Sequence, residues 1–394
     1  MEKLHIVLTG RRNSGKSSLI NTLTGQQTAI VSDVPGTTTD PVKKSFEIPG
    51  FASVVFIDTA GIDDTGTLGR ERVKKTLKTF LQADVAFLLI SENRFGKEEE
   101  NLIGKFNSIR LPFLILHTKT DLHPLSPVLR TQLEEKYKVP VIDICTSDPG
   151  VTSVLLNHLR RITDKSSPAA LLEGLAYPGD ILLLVAPVDS EVPVGRLILP
   201  QVQTIRAALD RHASCIVLQP EEIKNFLDTT RIRPRLVITD SQAFSQVAAV
   251  LPESVPLTGF SILLARQKGC FEAYLKGTRR IDTLQDDDTV LLLESCSHHV
   301  SCEDIGRVKI PALLRKYTGK KLNFEYISGL DSIEKPLTNY ALVIQCGGCM
   351  ITATQLRNRL LPFIEAGIPV SNYGMTLAFL TGIFDRALRP FRDR

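Results

Sequence analysis

Leu4-His5-Ile6-Val7-Leu8-Thr9-Gly10-Arg11-Arg12-Asn13-Ser14-Gly15-Lys16-Ser17-Ser18 decides how the chain begins. An apolar run of strand length stops at Gly10, and an apolar-periodic helix follows from Leu19. Between them stands G-x-x-x-x-G-K-S, the spacing of a phosphate-binding loop, in the strand–loop–helix setting that the motif requires. Backbone N–H groups from Gly10 through Ser18 are expected to wrap phosphates, and the helix N-terminus adds a favourable field. Lys16 is expected to reach the β- and γ-phosphates, and Ser17 to bind Mg²⁺.

Further pieces follow in the order such a domain needs. Asp58-Thr59-Ala60-Gly61 ends a second apolar strand, Val54–Ile57. Asp58 is expected to hold Mg²⁺ through water, and the Gly61 amide to touch a γ-phosphate. Upstream, Pro35-Gly36-Thr37-Thr38-Thr39-Asp40 lies in a long loop, one of whose threonines completes the Mg²⁺ shell. A third strand, Phe113–His117, delivers Thr118-Lys119-Thr120-Asp121. There the Asp121 carboxylate can accept from the N1–H and exocyclic amine of guanine, a donor pair adenine lacks, so the nucleotide reads as GTP. Thr118 stands where the usual N-K-x-D pattern has asparagine, which weakens the expected pocket. Strand Val141–Ile144 then leads to Cys145-Thr146-Ser147, a base-side loop.

Towards the other end, two apolar runs stop where thiols begin: Leu291-Leu292-Leu293-Glu294-Ser295-Cys296-Ser297-His298-His299 and Ala341-Leu342-Val343-Ile344-Gln345-Cys346-Gly347-Gly348-Cys349. Ligands of open α/β sheets gather beyond the carboxyl ends of the strands, so these thiols are expected to converge. Cys346 and Cys349 have C-x-x-C spacing. Alone, that spacing fits structural zinc, iron–sulfur, a redox pair or inert core cysteines. Cys296, His298, Cys346 and Cys349 would make a four-ligand zinc set.

With 394 residues, 43% hydrophobic and 23% charged, two to three globular domains are expected. The net charge of +4 is slight and no dense Lys/Arg run appears, so no nucleic-acid partner is expected. No apolar run approaches the roughly 18 residues of a membrane span. No signal peptide precedes Leu4, so seven cysteines, an odd number, read as reduced thiols in the cytoplasm. Cys145, Cys215, Cys270 and Cys302 are expected as buried small hydrophobes, Cys302 being the one spare ligand candidate.

The first α/β pattern closes with a helix from Val151 to about Thr163, and Asp164-Lys165-Ser166-Ser167-Pro168 reads as a linker. Strands Ile181–Ala186, Cys215–Leu218, Leu236–Thr239 and Val255–Leu257 then alternate with helices Pro200–Arg211, Glu221–Leu227 and Ser241–Val250. This unit has no phosphate loop, and an assembly role suits it. A third unit repeats the rhythm: strand Val290–Leu293, helix Asp304–Tyr317, strand Ala341–Ile344, helix Thr354–Glu365. The expected fold is α/β throughout: a P-loop nucleotide domain over 1–166, then two smaller parallel-sheet domains over 172–264 and 265–394. Asp286-Asp287-Asp288 reads as an acidic turn before a strand.

Asn13 within the phosphate loop, together with Ala29-Ile30-Val31-Ser32-Asp33-Val34 leading into Pro35–Asp40, resembles the TrmE–Era class of GTPases. That resemblance implies Thr38 as the Mg²⁺-binding threonine and Asn13 as a holder of K⁺ beside the phosphates. Ile62 occupies the place where Ras-like proteins keep a catalytic glutamine, which implies slow, switch-like hydrolysis.

Taken with a site-free α/β domain and C-x-H … C-x-x-C, the whole chain resembles the FeFe-hydrogenase maturation GTPase family HydF. The family pattern is C-x-H followed, after a long gap, by H-C-x-x-C. Cys296-Ser297-His298 and Cys346–Cys349 match it, whereas Gln345 stands in place of the second histidine. The resemblance implies that Cys296, Cys346 and Cys349 bind a 4Fe–4S cluster with an exchangeable fourth site, for which His298 is a candidate. It further implies a homodimer formed by the middle domain, radical-SAM maturases as suppliers of a di-iron unit, and apo FeFe-hydrogenase as its recipient. Two rivals are an RNA-modification or ribosome-assembly GTPase with a zinc tail, and an interaction protein whose cysteines are structural.

Overall fold

The computed structural model describes residues 3–25, 42–48, 52–59, 79–148, 150–164, 170–188, 197–295, 304–331, 333 and 335–392. Thr38, Gly61, Cys296, His298, His299 and Cys302 lie outside the described residues. The chain forms two compact units, Met1–Ser167 and Pro168–Arg394.

In the first unit, the strands are β1 (Leu4–Gly10), β2 (Val42–Ile48), β3 (Ala52–Asp58), β4 (Val85–Ser91), β5 (Phe113–Thr118) and β6 (Val141–Asp143). They form one sheet in the order β2-β3-β1-β4-β5-β6. Every pairing is parallel except β2 with β3. Helices Lys16–Thr24, Lys97–Ser108, Pro127–Tyr137 and Val151–Asp164 alternate with the strands. Because both faces are covered, the central strands are continuous apolar runs. Ile6, Leu8, Phe87 and Leu89 pack with Leu19 and Leu155 on one face, while Val7, Leu88 and Ile90 pack with Ile103 and Phe106 on the other.

The second unit holds two four-stranded sheets. One contains β7 (Ile181–Val185), β8 (Ser214–Leu218), β9 (Leu236–Thr239) and β10 (Leu257–Gly259) in the order β10-β9-β7-β8. The other contains β11 (Thr289–Leu293), β12 (Asn323–Ile327), β13 (Leu342–Gln345) and β14 (Val370–Asn372) in the order β12-β11-β13-β14. All their pairings are parallel. In each sheet the third strand lies beside the first on the side opposite the second, so chain direction reverses between β7 and β9 and between β11 and β13. Those reversals are where an open α/β sheet leaves a crevice at its carboxyl edge.

β10 begins at Leu257 rather than Val255, because Pro256 has no N–H to give a ladder. β10 runs without a break into helix Phe260–Lys268. Phe260, Leu263 and Leu264 of that helix join the core around Leu182 and Leu184, while Ile262 and Ala265 join the core around Leu291, Leu293 and Val343. One helix thus belongs to hydrophobic clusters of both sheets of the second unit. The acidic turn is as expected: Asp286 accepts from the Lys321 amide at 2.7 Å and Asp288 from the Gln285 amide at 2.7 Å, just before β11.

Candidate functional site

The phosphate loop is shaped by backbone constraints. Gly10 has φ +149°, and a Cβ there would stand 2.3 Å from the carbonyl oxygen of Leu89 on β4, so only glycine fits. Asn13 adopts the left-handed region with φ +59°, as does Gly15 with φ +83°. Lys16 Nζ donates to the carbonyls of Gly10 at 3.1 Å and Arg11 at 2.7 Å, which holds the ammonium over the loop. Ser17 Oγ donates to Asp58 Oδ2 at 3.4 Å. The two residues expected to share Mg²⁺ are therefore adjacent, though they come from different elements. Thr59 fixes the end of β3 by donating from Oγ1 to the carbonyl of Leu8 at 2.8 Å.

Arg11 is committed to structure. Its guanidinium makes a two-point pair with Glu99, at 2.7 and 3.1 Å, and the Glu99 side chain is 1% exposed. Glu99 also accepts from the Gly96 amide at 2.8 Å, capping helix Lys97–Ser108. The loop is thereby pinned to a helix 88 positions along the chain, a contact that local sequence patterns did not signal.

The base side is assembled by β5 and β6. Thr118 Oγ1 is within donating distance of the carbonyls of Ser14, at 2.9 Å, and Ile90, at 3.2 Å, and is fully buried. Lys119 has φ +58° and lines, with Asn13, Ser14 and Ser91, a cleft of about 270 Å³. Asp121 is exposed beyond it. Thr120 Oγ1 donates to Asp143 Oδ1, which also faces the buried His117 Nδ1 at 2.7 Å. The Asn93 amide donates to His117 Nε2 at 3.4 Å. With Nε2 facing a backbone N–H, Nδ1 is the ring nitrogen placed to donate to Asp143. The loop Cys145–Ser147 is anchored by Thr22, which donates to the Thr146 carbonyl at 2.7 Å, and Cys145 Sγ stands 2.9 Å from Ser147 Oγ. Phosphate-side and base-side residues from four segments therefore meet at one edge of the first sheet.

The thiols lie at the reversal point of the last sheet. Leu293 pairs with Gln345 in the ladder, and the Cys346 amide donates to the Leu293 carbonyl at 2.8 Å. Cys346 Sγ accepts from the Ser295 amide at 3.1 Å and from Gln345 Nε2 at 3.3 Å, and its S–H donates to Ser295 Oγ at 2.9 Å. Ser295 is the last described residue before Cys296. Cys349 is half-buried three positions on; burial raises its thiol pKa, the Cys346 thiol adds to the rise and Lys268 opposes it. Lys268 Nζ, itself buried, donates to the carbonyls of Gly348 at 3.2 Å and Ile351 at 3.1 Å, fixing the loop that carries Cys349.

Around the sulfur, buried polar groups come from several elements. Arg359 donates to the carbonyls of Glu294 at 2.7 Å and Ile327 at 2.9 Å, and burial depresses its pKa while the Cys346 thiol opposes that. The Glu294 carboxylate forms a two-point pair with Arg307, at 2.9 and 2.8 Å, and accepts from Ser328 Oγ at 2.6 Å. Tyr274 and Tyr373 phenols are pushed well above their usual range, chiefly by burial, and neither hydroxyl has a hydrogen-bond partner among the described residues. No group of three or more His, Cys, Asp or Glu forms a metal set among the described residues. What is described is two of the three expected thiols on one loop, with N–H donors aimed at one sulfur and no carboxylate hydrogen-bonded to it. Thiolate–iron chemistry suits that donor set. Cys215 and Cys270 are half-buried rather than fully enclosed, with thiol pKa values raised by burial.

Comparison with known proteins bears on both halves. Residues 171–269 match the family model described as hydrogen maturase F dimerization domain, and residues 272–390 match the hydrogen maturase F tetramerization domain. Together they span more than half of the chain. The chain belongs to the hydrogen maturase F family. Residues 5–119 match a GTPase model described as 50S ribosome-binding GTPase, so this hydrogen maturase F carries a GTPase domain ahead of its assembly domains.

The curated relatives resemble only that first part. The tRNA modification GTPase MnmE of Nitrosomonas europaea is 39% identical over 142 residues, 36% of this chain and 30% of that one. GTPase Der of Nitratidesulfovibrio vulgaris is 40% identical over 126 residues, 31% of this chain and 26% of that one. The matches thus span about a third of the length of these relatives or less. Among solved structures, Aquifex aeolicus Era bound to GDP.AlF4⁻ gives a TM-score of 0.37 at 18% identity, covering 56% of this chain and 93% of that one. The G domain of T. maritima FeoB gives 0.31 at 19% identity, covering 42% and 99%. Among the described residues no helix is long and apolar enough to cross a membrane.

Proposed function

We propose that this hydrogen maturase F is a GTP-hydrolysing scaffold that binds a 4Fe–4S cluster and assembles or delivers the di-iron unit of FeFe-hydrogenase. The observation that carries the reading is the position of Cys346. It stands at the strand reversal of the last sheet, hydrogen-bonded to the residue that immediately precedes Cys296. Cys296, Cys346 and Cys349 would hold the cluster, with His298 the candidate at the exchangeable iron. When bound, the cluster supplies an iron open to an incoming ligand.

In the GTPase unit, Gly10, Asn13, Ser14, Gly15, Lys16, Ser17 and Ser18 hold the phosphates, Ser17, Thr38 and Asp58 the Mg²⁺, and Gly61 the γ-phosphate. Asn13 also holds K⁺. Thr118, Lys119, Asp121, Cys145 and Thr146 form the base side. GTP biases association with partners, because switch loops order around a γ-phosphate and relax after hydrolysis. Those partners are the radical-SAM maturases, apo FeFe-hydrogenase and a second copy of the chain, in the cytoplasm. Three functional segments, 1–166, 172–264 and 265–394, divide the roles of switch, dimer contact and cluster carrier. The tRNA-modification relatives share only the switch, so their substrate does not carry over to this chain.

EPR with iron and sulfide analysis on anaerobically reconstituted, reduced protein tests the proposal. A reduced 4Fe–4S signal whose shape changes on adding imidazole or cyanide is the expected result. Stoichiometric zinc with no iron would overturn it.

A further inference from the structure

Gln345 occupies the last position of β13, is fully buried, and turns its amide nitrogen on Cys346 and Ser295. Its Nε2 lies 3.3 Å from Cys346 Sγ, 3.2 Å from the Cys346 carbonyl and 3.0 Å from Ser295 Oγ. The carbonyl can only accept, and this decides which way the amide faces: the nitrogen points at Cys346 and the oxygen away. Burying a glutamine is costly unless its polar atoms are used. Here the nitrogen meets three acceptors, while Oε1 is buried with no hydrogen-bond partner among the described residues. The side chain is therefore held in place by what its N–H groups reach.

Two N–H donors and one hydroxyl surround one sulfur. Ser295 N–H and Gln345 N–H already point at it. The Ser295 hydroxyl accepts from the thiol at 2.9 Å, which closes a ring of polar contacts around the sulfur. Hydrogen bonds to a cluster sulfur favour the electron-richer state and so raise its reduction potential.

We propose that Gln345 is a positioning residue for the Cys346 sulfur, which raises the reduction potential of the bound cluster by donating N–H···S and does not itself ligate iron. The proposal rests on the cluster reading above and goes beyond it, because it gives the position where the family pattern has histidine a different duty.

The test is an EPR-monitored redox titration of full-length, anaerobically reconstituted protein, with iron content and a thermal melt measured on each sample. Gln345→Met keeps the length of the side chain and removes both N–H donors. Gln345→His retains a ring N–H and serves as the conservative control. The expected result is full iron in both variants, a midpoint potential shifted to more negative values in Gln345→Met, and a midpoint near the parent in Gln345→His. An unchanged midpoint in a fully loaded Gln345→Met variant would overturn the proposal. So would an altered EPR line shape or loss of the response to imidazole in that variant, either of which would make Oε1 an iron ligand. Loss of iron from Gln345→Met with an unchanged melt would also overturn it in favour of a binding role. A parent protein that takes up no iron would fail at the earlier step, removing the cluster reading and this proposal with it.

Discussion

Thr118 Oγ1 lies 2.9 Å from the carbonyl oxygen of Ser14, so the residue that departs from N-K-x-D still fastens the base-side strand to the phosphate loop. A Cβ added to Gly15 would meet the Thr118 side chain at 3.6 Å, which shows how closely loop and strand approach. Substituting Thr118→Val keeps the shape and removes the donor. Losing one such hydrogen bond costs about 1 kcal/mol, or roughly a fivefold weakening of nucleotide binding. Titration with a fluorescent GTP analogue measures it; unchanged affinity would mean that the tether does not matter to the site.

Lys16→Ala should abolish GTP hydrolysis and leave iron content intact, because Lys16 and Cys346 lie in different compact units. Phosphate release and iron analysis on the same preparation give both readings. Loss of iron would contradict the separation.

Cys346→Ala is expected to strip the cluster with little change in hydrolysis. Full iron content in that variant would show that the ligand set had been misassigned.

Glu294, with its side chain 4% exposed, is paired with Arg307, whose side chain is 33% exposed. Removing one partner of a fully buried pair costs roughly 3–5 kcal/mol, and the partial exposure of Arg307 reduces this to about 2 kcal/mol. Arg307→Met should therefore lower the urea midpoint of the second unit. The double variant Glu294→Gln with Arg307→Met should lose less than the sum of the two single changes.

Tyr340 is 3% exposed, and burial, aided by its hydrogen bond to Glu325, raises its phenol to about 12. An unfolded tyrosine ionises near 10. The unfolded chain therefore gives up this proton first, and stability that is intact below about pH 10 falls as pH rises toward 12. Tyr340→Phe should flatten part of that alkaline loss in melts followed by circular dichroism. Tyr274, Tyr373 and Tyr326, raised chiefly by burial, act in the same direction.

The phosphate loop and the thiol-bearing strand ends were legible in the sequence because each is written in consecutive residues. Gly10 and Gly15 answer to backbone geometry, and Leu342–Gln345 is an apolar run that stops at a thiol. β12 and β14 were not anticipated: Asn323–Ile327 is a half-buried mixed run, and Val370–Asn372 is three residues long. Ser371 in β14 is buried by pairing its hydroxyl with Thr278 at 2.7 Å and Thr376 at 2.9 Å, which polar composition disguises. Helix Tyr373–Leu380 is apolar nearly all round and lacks the periodic stripe that marks a helix. Arg11 with Glu99, and Thr118 with Ser14, are contacts of high sequence separation between residues of ordinary type, and only the fold brings them together.

Helix Phe260–Lys268 has mechanical meaning. Its amino end grows directly out of β10, in the sheet matched to dimerization, and Lys268 at its carboxyl end grips the carbonyls on either side of Cys349. Nine residues make a strut about 13 Å long. The helix therefore gives the first sheet of this unit a continuous covalent route to the thiol loop, beside the side-chain ties of Lys309 to Gln242 and of Arg386 to the Ala248 and Leu251 carbonyls.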